Sequence, residues 1–360
     1  MKNILVGVLV LFSLVSFSRE KNNNYSFSKE KQFKKAFAIN KDASIDIVNK
    51  YGDVTIDNWE KDSISIFVEI KSQGDKLDKV MERLNEVTID FSGSKSYVSA
   101  QTQWYSSGFI KRSLDDIKLG VNGSNKLEIN YKIMMPKSCK LTIVNSFGDV
   151  NMDDLTGQLQ AEVSYGDFRA DNLKNVRHIT VKYGDANIEE IEKGSINMSY
   201  GDIEIEEAND IDVSSAFVKI SIEEVENIQI DSKNDEIDIE EVGNIEGVLT
   251  FSECKIEKLN NTAELDSKFG RVKIKEVNNS FERIDLSGYH TNYKIYTDSN
   301  LKTGFKVVLE NGKEFEHEGD IKVTDNASMD RVEKYTGSIN GGTDIKIRIQ
   351  TKMGKVSLED

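Results

Sequence analysis

The chain has 360 residues, with 62 acidic against 47 basic side chains and a formal net charge of −15. This acidity argues against nucleic acid or an anionic membrane surface as partners, because both would repel it. It has one proline, Pro136, and two cysteines, Cys139 and Cys254. Scarce proline fits a strand-rich chain. The repeat described below would place the two cysteines many coils apart, which predicts free thiols rather than a disulfide framework.

Residues 1–18 have the composition of an export signal. Lys2 supplies the positive charge, residues 4–15 the apolar core, and residues 16–18 a small-x-small cleavage site. The apolar run is too short for a comfortable membrane span. We therefore expect an exported protein, periplasmic, at the cell surface or secreted, without a transmembrane segment. Residues 19–40 are polar and lysine-rich, and we expect a flexible leader there.

An aromatic-Gly-Asp-apolar phrase then recurs along the chain. Its copies are Tyr51-Gly52-Asp53-Val54, Phe147-Gly148-Asp149-Val150, Ser164-Tyr165-Gly166-Asp167-Phe168, Tyr183-Gly184-Asp185-Ala186 and Tyr200-Gly201-Asp202-Ile203, with altered forms at Phe269-Gly270-Arg271-Val272 and Met353-Gly354-Lys355-Val356. The glycines from Gly148 to Gly201 repeat every 17 or 18 residues. A fixed short period of this kind indicates a repeat architecture.

Each repeat predicts two short strands separated by corners. Apolar residues alternate before the aromatic residue, as at Leu159, Ala161 and Val163, which is typical of a strand with one buried face. The Gly-Asp pair favours a corner, since glycine tolerates positive φ and aspartate can bond its own backbone. The sequence therefore predicts an all-β fold, a right-handed parallel β-solenoid (a single-stranded β-helix).

The same reasoning assigns structural roles to two sets of residues. Equivalent residues of stacked coils should lie about 4.8 Å apart. We expect positive φ at Gly166 and Gly184. The predicted internal aromatic ladder runs through Phe147, Tyr165, Tyr183 and Tyr200, and the predicted corner glycines are Gly52, Gly148, Gly166, Gly184, Gly201 and Gly270.

The predicted solenoid domain covers residues 41–360, with two departures from the repeat. Residues 60–140 contain strands and a stretch with helical spacing at 75–87, which predicts a small α+β insertion that caps the first coil. Residues 290–360 are irregular, and we interpret them as the last coils with insertions and a closing cap.

A family resemblance follows from these features. The export signal, the early unit Lys50-Tyr51-Gly52-Asp53-Val54, the helix-bearing insertion, and Met135-Pro136 shortly before Val144-Asn145-Ser146-Phe147-Gly148-Asp149-Val150 resemble the bacterial putative-adhesin domain family. The resemblance covers roughly residues 41–359. It implies an exported β-solenoid protein and brings no catalytic residues.

The sharpest candidate site is a series of carboxylates at Asp149, Asp167, Asp185 and Asp202. If they lie in register, they form either a divalent-cation ladder, since calcium prefers carboxylate and carbonyl oxygens, or a row of solvated corner caps. We favour the caps, because the dense glycine-aspartate nonapeptides of calcium-binding β-rolls are absent from the sequence.

Exposed aromatic residues are the other candidates. Trp104 and Tyr105 in a polar stretch, and Tyr289 and Tyr293 further on, could stack on sugar rings or anchor a protein partner. The alternative is that Trp104 packs against the cap and that the tyrosines extend the ladder.

Catalytic chemistry has no clear sequence signature. The three histidines are isolated, and no Gly-x-Ser-x-Gly or phosphate loop occurs. We therefore expect a non-catalytic, monomeric envelope protein without a cofactor, with an adhesin-like scaffold or surface-binding role toward an envelope protein or a glycan. The alternative is a polysaccharide hydrolase or lyase, since parallel solenoids also carry such enzymes.

Overall fold

The computed structural model describes residues 25–105, 125–298, 300–312 and 314–359. The expected export signal lies outside these residues. Within them the fold is all-β, as predicted, with a single helix, α1 (Leu77–Glu86). The strands are β1 (Phe27–Ala38), β2 (Ser44–Lys50), β3 (Val54–Asn58), β4 (Ser63–Gly74), β5 (Val87–Gly93), β6 (Tyr97–Trp104), β7 (Asn125–Met135), β8 (Lys140–Ser146), β9 (Val150–Met152), β10 (Leu155–Ser164), β11 (Phe168–Lys182), β12 (Ala186–Lys233), β13 (Glu236–Thr250), β14 (Glu253–Lys268), β15 (Arg271–Val277), β16 (Arg283–Tyr289), β17 (Asn292–Tyr296), β18 (Thr303–Glu310), β19 (Phe315–His317), β20 (Ile321–Met329), β21 (Val332–Ile339), β22 (Ile345–Lys352) and β23 (Val356–Glu359).

The described residues divide into two compact units, unit 1 up to Asp171 and unit 2 from Asn172. In unit 1 the repeat forms parallel pairs. β10 pairs with β8, with Leu159 opposite Leu141, and the start of β11 pairs with β9, with Phe168 opposite Val150. Each offset equals the 18-residue period of the sequence. Buried residues alternate along these strands as the sequence predicted.

The segment between β3 and β8 covers the first repeat of unit 1. β2 pairs on one side with β8 and on the other with β6, both in parallel. β3 lies in the same way between β9 and β7. Strand β4 then pairs antiparallel with β7, and β5 with β6. The inserted strands therefore supply hydrogen-bond partners to what would otherwise be an open sheet edge.

Helix α1 lies within this inserted segment, close to its predicted position. It buries Val80 and Leu84, whereas Leu77 and Met81 on the predicted apolar face are about 40% exposed (43% and 39%). No helix among the described residues is long and apolar enough to cross a membrane.

The expectation of a flexible leader over residues 19–40 is wrong for the part that the structure describes. Residues 27–38 form strand β1, which pairs antiparallel with all of β4. The lysine-rich composition concealed an alternation in which Phe33 and Phe37 are spaced for one face of a strand. Phe33 lies 6.4 Å from the ring of Phe91, centroid to centroid, and so anchors β1.

In unit 2 the parallel offset is 17 residues between β12 and β13, with Ile220 opposite Ile237. β13 pairs with β14 at the same offset until Val242, after which the register shifts by one residue. β14 pairs with β15 and then with β16, which begins after further residues have been added beyond Val277.

The carboxyl-terminal strands continue the parallel pairing of the repeat. β16 pairs in parallel with β22, and β17 with β23, so that Tyr293 lies opposite Val356. The strands between them form an inserted segment in which β18 pairs with β22 in parallel and with β21 antiparallel, and β20 completes a hairpin with β21.

The corner geometry differs from the prediction. Among the described glycines, Gly319 and Gly341 occupy the left-handed region, so Gly166 and Gly184 do not. The aromatic residue before the glycine does so instead, with φ of 57° at both Tyr165 and Tyr183. Because this conformation breaks the strand alternation, it turns the ring outward and the predicted internal ladder becomes an exposed one.

The glycine is required for a different reason, which is the close approach of two backbones. A Cβ atom on Gly166 would overlap the carbonyl oxygen of Gly148, and one on Gly148 would overlap that of Gly52. At this corner the aromatic residue therefore carries an outward side chain, and the position after it must be a glycine.

We expect Gly166→Ala to lower the free energy of unfolding by about 1–3 kcal/mol, because its Cβ must displace the backbone of Gly148. Urea denaturation measures the change. The control Ser164→Ala removes one outward hydroxyl and should stay within about 0.5 kcal/mol. Equal midpoints for the two variants would contradict the close approach.

Both cysteines are free and buried. Burial raises the pKa of the Cys139 thiol to about 11 and that of Cys254 to about 12. A raised pKa means that folding favours the neutral thiol, so this contribution to stability is full below the unfolded pKa of about 8.5 and is lost as the pH rises through 11 to 12.

At pH 8 we therefore expect neither thiol of the folded chain to react with a disulfide reagent such as DTNB, because both are protonated and covered. The guanidinium-unfolded chain provides the control and should release two equivalents of reporter. Rapid labelling of either thiol before unfolding would show that the burial is wrong.

Candidate functional site

The strongest surface feature is a set of aromatic rows at the corners. Among the described residues we name three rows, grouped by unit: row A (Tyr51, Phe147 and Tyr165, in unit 1), row B (Tyr183, Tyr200 and Phe217, in unit 2) and row C (Phe251, Phe269 and His290, in unit 2). Every member has positive φ. Most of the rings are about half exposed, from 43% at Phe269 to 53% at Phe251. Such exposure of aromatic rings is unusual for a packing role and typical of a contact surface.

The ring spacing follows directly from the strand register. Paired strands lie about 4.8 Å apart, and each aromatic residue leaves its corner with the same backbone conformation. Phe147 and Tyr165 are accordingly stacked with centroids 4.9 Å apart and planes within 2°. Stacking is worth about 0.5–1.5 kcal/mol per pair, which offsets much of the cost of about 1–2 kcal/mol for the left-handed backbone.

Row A continues into Trp104, which sequence reasoning had selected. The Trp104 ring packs edge-on against Tyr51, with centroids 5.8 Å apart and planes at 90°. Tyr51 in turn stacks on Phe147 at 5.3 Å, and the ammonium of Lys50 lies 4.5 Å from the Tyr51 ring centre. The ammonium adds a cation–π contact at this point.

A groove of about 450 Å³ adjoins this cluster. Its apolar floor includes Val48, which is 37% exposed, and its rim carries polar side chains. The lining residues are Val48, Asn49, Lys50, Thr102, Gln103, Trp104, Val144 and Ser146. Apolar area with a few polar groups and an aromatic wall is typical of a binding surface.

A buried hydrogen-bond network fixes the groove from below. The amide of Asn49 donates to the carbonyl oxygens of Gly52 (3.0 Å) and Ile129 (2.9 Å), and Thr102 donates to the Asn49 side-chain oxygen at 3.0 Å. The hydroxyl of Tyr131 lies 2.9 Å from that of Thr102. Burial raises the pKa of Tyr131, which keeps this hydroxyl neutral.

The other predicted aromatic residues have different environments. Tyr105, next to Trp104, is 78% exposed. In unit 2, Tyr289 is half-buried and packs edge-on against His290 at 4.5 Å. Tyr293 is only 1% exposed and donates from its hydroxyl to the Ser287 carbonyl, so its proposed binding role is wrong. It occupies a strand position opposite Val272, where alternation points the side chain inward.

The aspartate series has a structural bonding pattern. The Asp53 carboxylate accepts the backbone N–H of Asp149 at 2.9 Å, and the Asp149 carboxylate accepts that of Asp167 at 2.9 Å. In unit 2, Asp185 accepts the N–H of Asp202 at the same distance. Each carboxylate therefore bonds the next repeat, rather than its own corner as the sequence suggested.

Arg169 compensates the charge of this series in unit 1. Its guanidinium lies 2.6 Å from Asp167 and 3.4 Å from Asp149. Within the described ranges, no group of three or more histidine, cysteine, aspartate or glutamate side chains is arranged to hold a metal ion. A cation role for Asp149, Asp167, Asp185 and Asp202 stays a prediction that lacks structural support.

Sequence reasoning missed the partner of Trp104 and the groove beside it. Tyr51 was assigned only to the repeat, and neither Val48 nor Val144 was considered as a site residue. The sequence did contain a signal for the groove. Both valines lie at the outward-facing positions of β2 and β8, where the other residues are polar. Two apolar residues at outward positions of paired strands predict an exposed apolar patch.

The chain was compared with known proteins and solved structures. No family model matches the chain, and no curated protein matches it. One similar solved structure is a putative cell adhesion protein from Clostridium sporogenes, with 13% identity, 92% of this chain and 99% of that chain covered, and a TM-score of 0.21. A putative adhesin from Parabacteroides distasonis has 13% identity, 91% of this chain and 97% of that chain covered, and a TM-score of 0.31. A putative lipid binding protein from Parabacteroides distasonis has 12% identity, 74% of this chain and 94% of that chain covered, and a TM-score of 0.32. Structures named as adhesins are thus among its neighbours, as the sequence resemblance predicted. At these TM-scores the likeness carries no argument about a ligand.

We expect Asp149→Ala to lower the free energy of unfolding by about 0.5–1.5 kcal/mol, because the N–H of Asp167 loses its acceptor. Asp149→Asn keeps an acceptor oxygen and should cost less. Urea denaturation of the two variants at equal ionic strength makes the comparison. The structural role would be contradicted if Asn cost as much as Ala, and a rise in melting temperature with calcium that Asp149→Asn abolishes would favour the cation ladder instead.

Proposed function

We propose that this chain is a non-catalytic, exported, adhesin-like protein that binds a glycan or an envelope protein through Trp104, row A and the adjoining groove. The observation that carries the proposal is the continuous aromatic surface from Trp104 through Tyr51 and Phe147 to Tyr165. Tryptophan and tyrosine at a half-buried, fixed position are among the side chains that contribute most to binding energy at interfaces.

The chemistry of this surface favours a partner with both apolar and hydroxyl groups. The ring edges and the two valines offer apolar contact, while Gln103, Thr102 and Lys50 offer hydrogen-bond groups along the rim. Sugar rings and tyrosine-rich protein surfaces both present this combination. The fixed corner backbone and the network beneath it mean that little conformational entropy is lost on binding.

The constant parallel offsets support a finer description of the fold. We propose that the paired repeats are successive coils of a right-handed β-solenoid, the hand that parallel crossover connections almost always adopt. A monomer fits this proposal, because the inserted segment occupies the edge of the first repeat of unit 1.

Export is proposed from the sequence of residues 1–18, which has the arrangement of a cleaved signal. The destination is the periplasm, the cell surface or the medium. Fractionation of cells that express the native chain separates these, and recovery in the cytoplasm with residues 1–18 intact would contradict export.

Glycan binding by the purified chain tests the main proposal. A panel of polysaccharides and envelope fractions is assayed for retention and for new reducing or unsaturated ends. We expect saturable retention without products, and at least about a tenfold weaker Kd for Trp104→Ala, since aromatic contacts of this kind are worth about 2 kcal/mol or more.

The matched control is Trp59→Ala. Trp59 is likewise half-buried, and its ring nitrogen donates to the Ser63 carbonyl at 2.7 Å within a turn. Equal loss of binding in the two variants would indicate a general effect on folding and contradict the proposed site. Products that disappear when a single carboxylate is replaced would support the polysaccharide-active enzyme instead.

A further inference from the structure

The aromatic rows of unit 2 are interrupted at one corner. Row B ends at Phe217 and row C begins at Phe251, and the corner between them carries Asn234. The register places Asn234 directly between the two rings, because β12 pairs with β13, and β13 with β14, at the same offset on both sides of it.

The backbone at Asn234 is equivalent to that of its neighbours. Its φ is 59°, against 58° at Phe217 and 55° at Phe251, and its N–H donates to the Thr250 carbonyl at 2.9 Å. Its Cβ therefore leaves the corner in the same direction as theirs. The asparagine side chain is smaller than a ring, so the ladder lacks one ring at this corner. We call the place between Phe217 and Phe251 the vacancy.

The size of the vacancy follows from the ladder itself. Neighbouring rings in rows B and C lie 4.8–5.3 Å apart with planes within 11°. Two ladder steps separate Phe217 from Phe251, which is about 9.6 Å along the strand-pairing direction. One flat ring between them would stack on both faces at the spacing that the rows already use.

The exposure of the two bordering rings agrees with uncovered faces. Phe217 is 51% exposed, against 47% for Tyr200 behind it. Phe251 is 53% exposed, against 43% for Phe269 behind it. In both rows the ring at the vacancy is thus more accessible than the ring stacked on its other face.

The corner beneath the vacancy is held by a buried carboxylate. Asp235 is 5% exposed and accepts hydrogen bonds from the hydroxyls of Ser215 and Ser232, each at 2.7 Å, and from the N–H of Val218 at 2.8 Å. Its own N–H donates to the Ser252 hydroxyl at 3.1 Å. These bonds join three successive repeats and keep the two phenylalanine corners in register.

We propose that this vacancy, bordered by Phe217 and Phe251 above Asn234, binds a single aromatic side chain presented by a partner protein. A planar ring would stack face to face on both bordering rings at the spacing that the rows already use, which a puckered sugar or a branched aliphatic group cannot do. The opening borders an exposed edge, so it cannot enclose most of a free small molecule as ligand pockets do. A side chain tethered to a partner needs no such enclosure.

This site is separate from Trp104 and row A, and its test removes Trp104 from that surface. In a Trp104→Ala background, saturation-transfer NMR measures contact between the purified chain and the capped peptide acetyl-Gly-Trp-Gly-amide. Acetyl-Gly-Leu-Gly-amide serves as the apolar, non-planar probe. We expect transfer to the indole protons and at least fivefold less to the leucine methyls.

Asn234→Phe fills the vacancy with the protein's own ring and should reduce indole transfer at least fivefold, without lowering the melting temperature. Asn311→Phe is the matched control, since Asn311 is also half-buried with positive φ (47°) and lies outside the rows. Phe217→Leu removes one wall and should also reduce transfer. Undiminished transfer in Asn234→Phe or in Phe217→Leu, or equal transfer to both peptides, would overturn the proposal.

Discussion

The close approach of successive backbones at the aromatic corner is the constraint on which the rest of the structure depends. Gly148 and Gly166 have no room for a Cβ atom, because the carbonyl oxygen of the preceding repeat lies where that atom would be. The chain turns one residue earlier, where the aromatic residue adopts the left-handed conformation. An L-residue adopts that conformation at a cost, and stacking between equivalent rings recovers part of it.

The same constraint explains why the candidate binding surfaces are aromatic. A side chain that leaves a left-handed corner points away from the core, so the residue that stabilises the corner by stacking is also presented to solvent. In the proposed site, the rings of row A would therefore serve both stability and recognition. The corner at Asn234 has no ring to stack, and a buried hydrogen-bond network around Asp235 holds it instead.

Much of the fold could be predicted because strand alternation and the spacing of Gly148, Gly166 and Gly201 are local properties of the sequence. The outward direction of the Tyr165 side chain could not be predicted. Alternation assumes an extended backbone, and the φ of 57° at Tyr165 turns its side chain to the opposite side. Strand β1 was missed because Lys29, Lys31 and Lys35 share the phase of Phe33 and Phe37, so the apolar alternation is hidden. The groove beside Trp104 depends on pairing between β2, β6 and β8, which single-strand patterns do not reveal.

The corners of the repeats show where such chains can change length. Large inserted segments follow the second strand of a repeat, one after β3 and one after β17. The one-residue register shift beyond Val242 and the extra residues beyond Val277 lie at the same place.

The other corner also changes length. Val48 lies opposite Gln101 but Val54 lies opposite Tyr131, so residues are added between β6 and β7, and one residue is added between β18 and β19. Both corners therefore tolerate insertions, because the strands on either side return to parallel pairing beyond them. The length of the chain can thus change without loss of the ladder of paired strands.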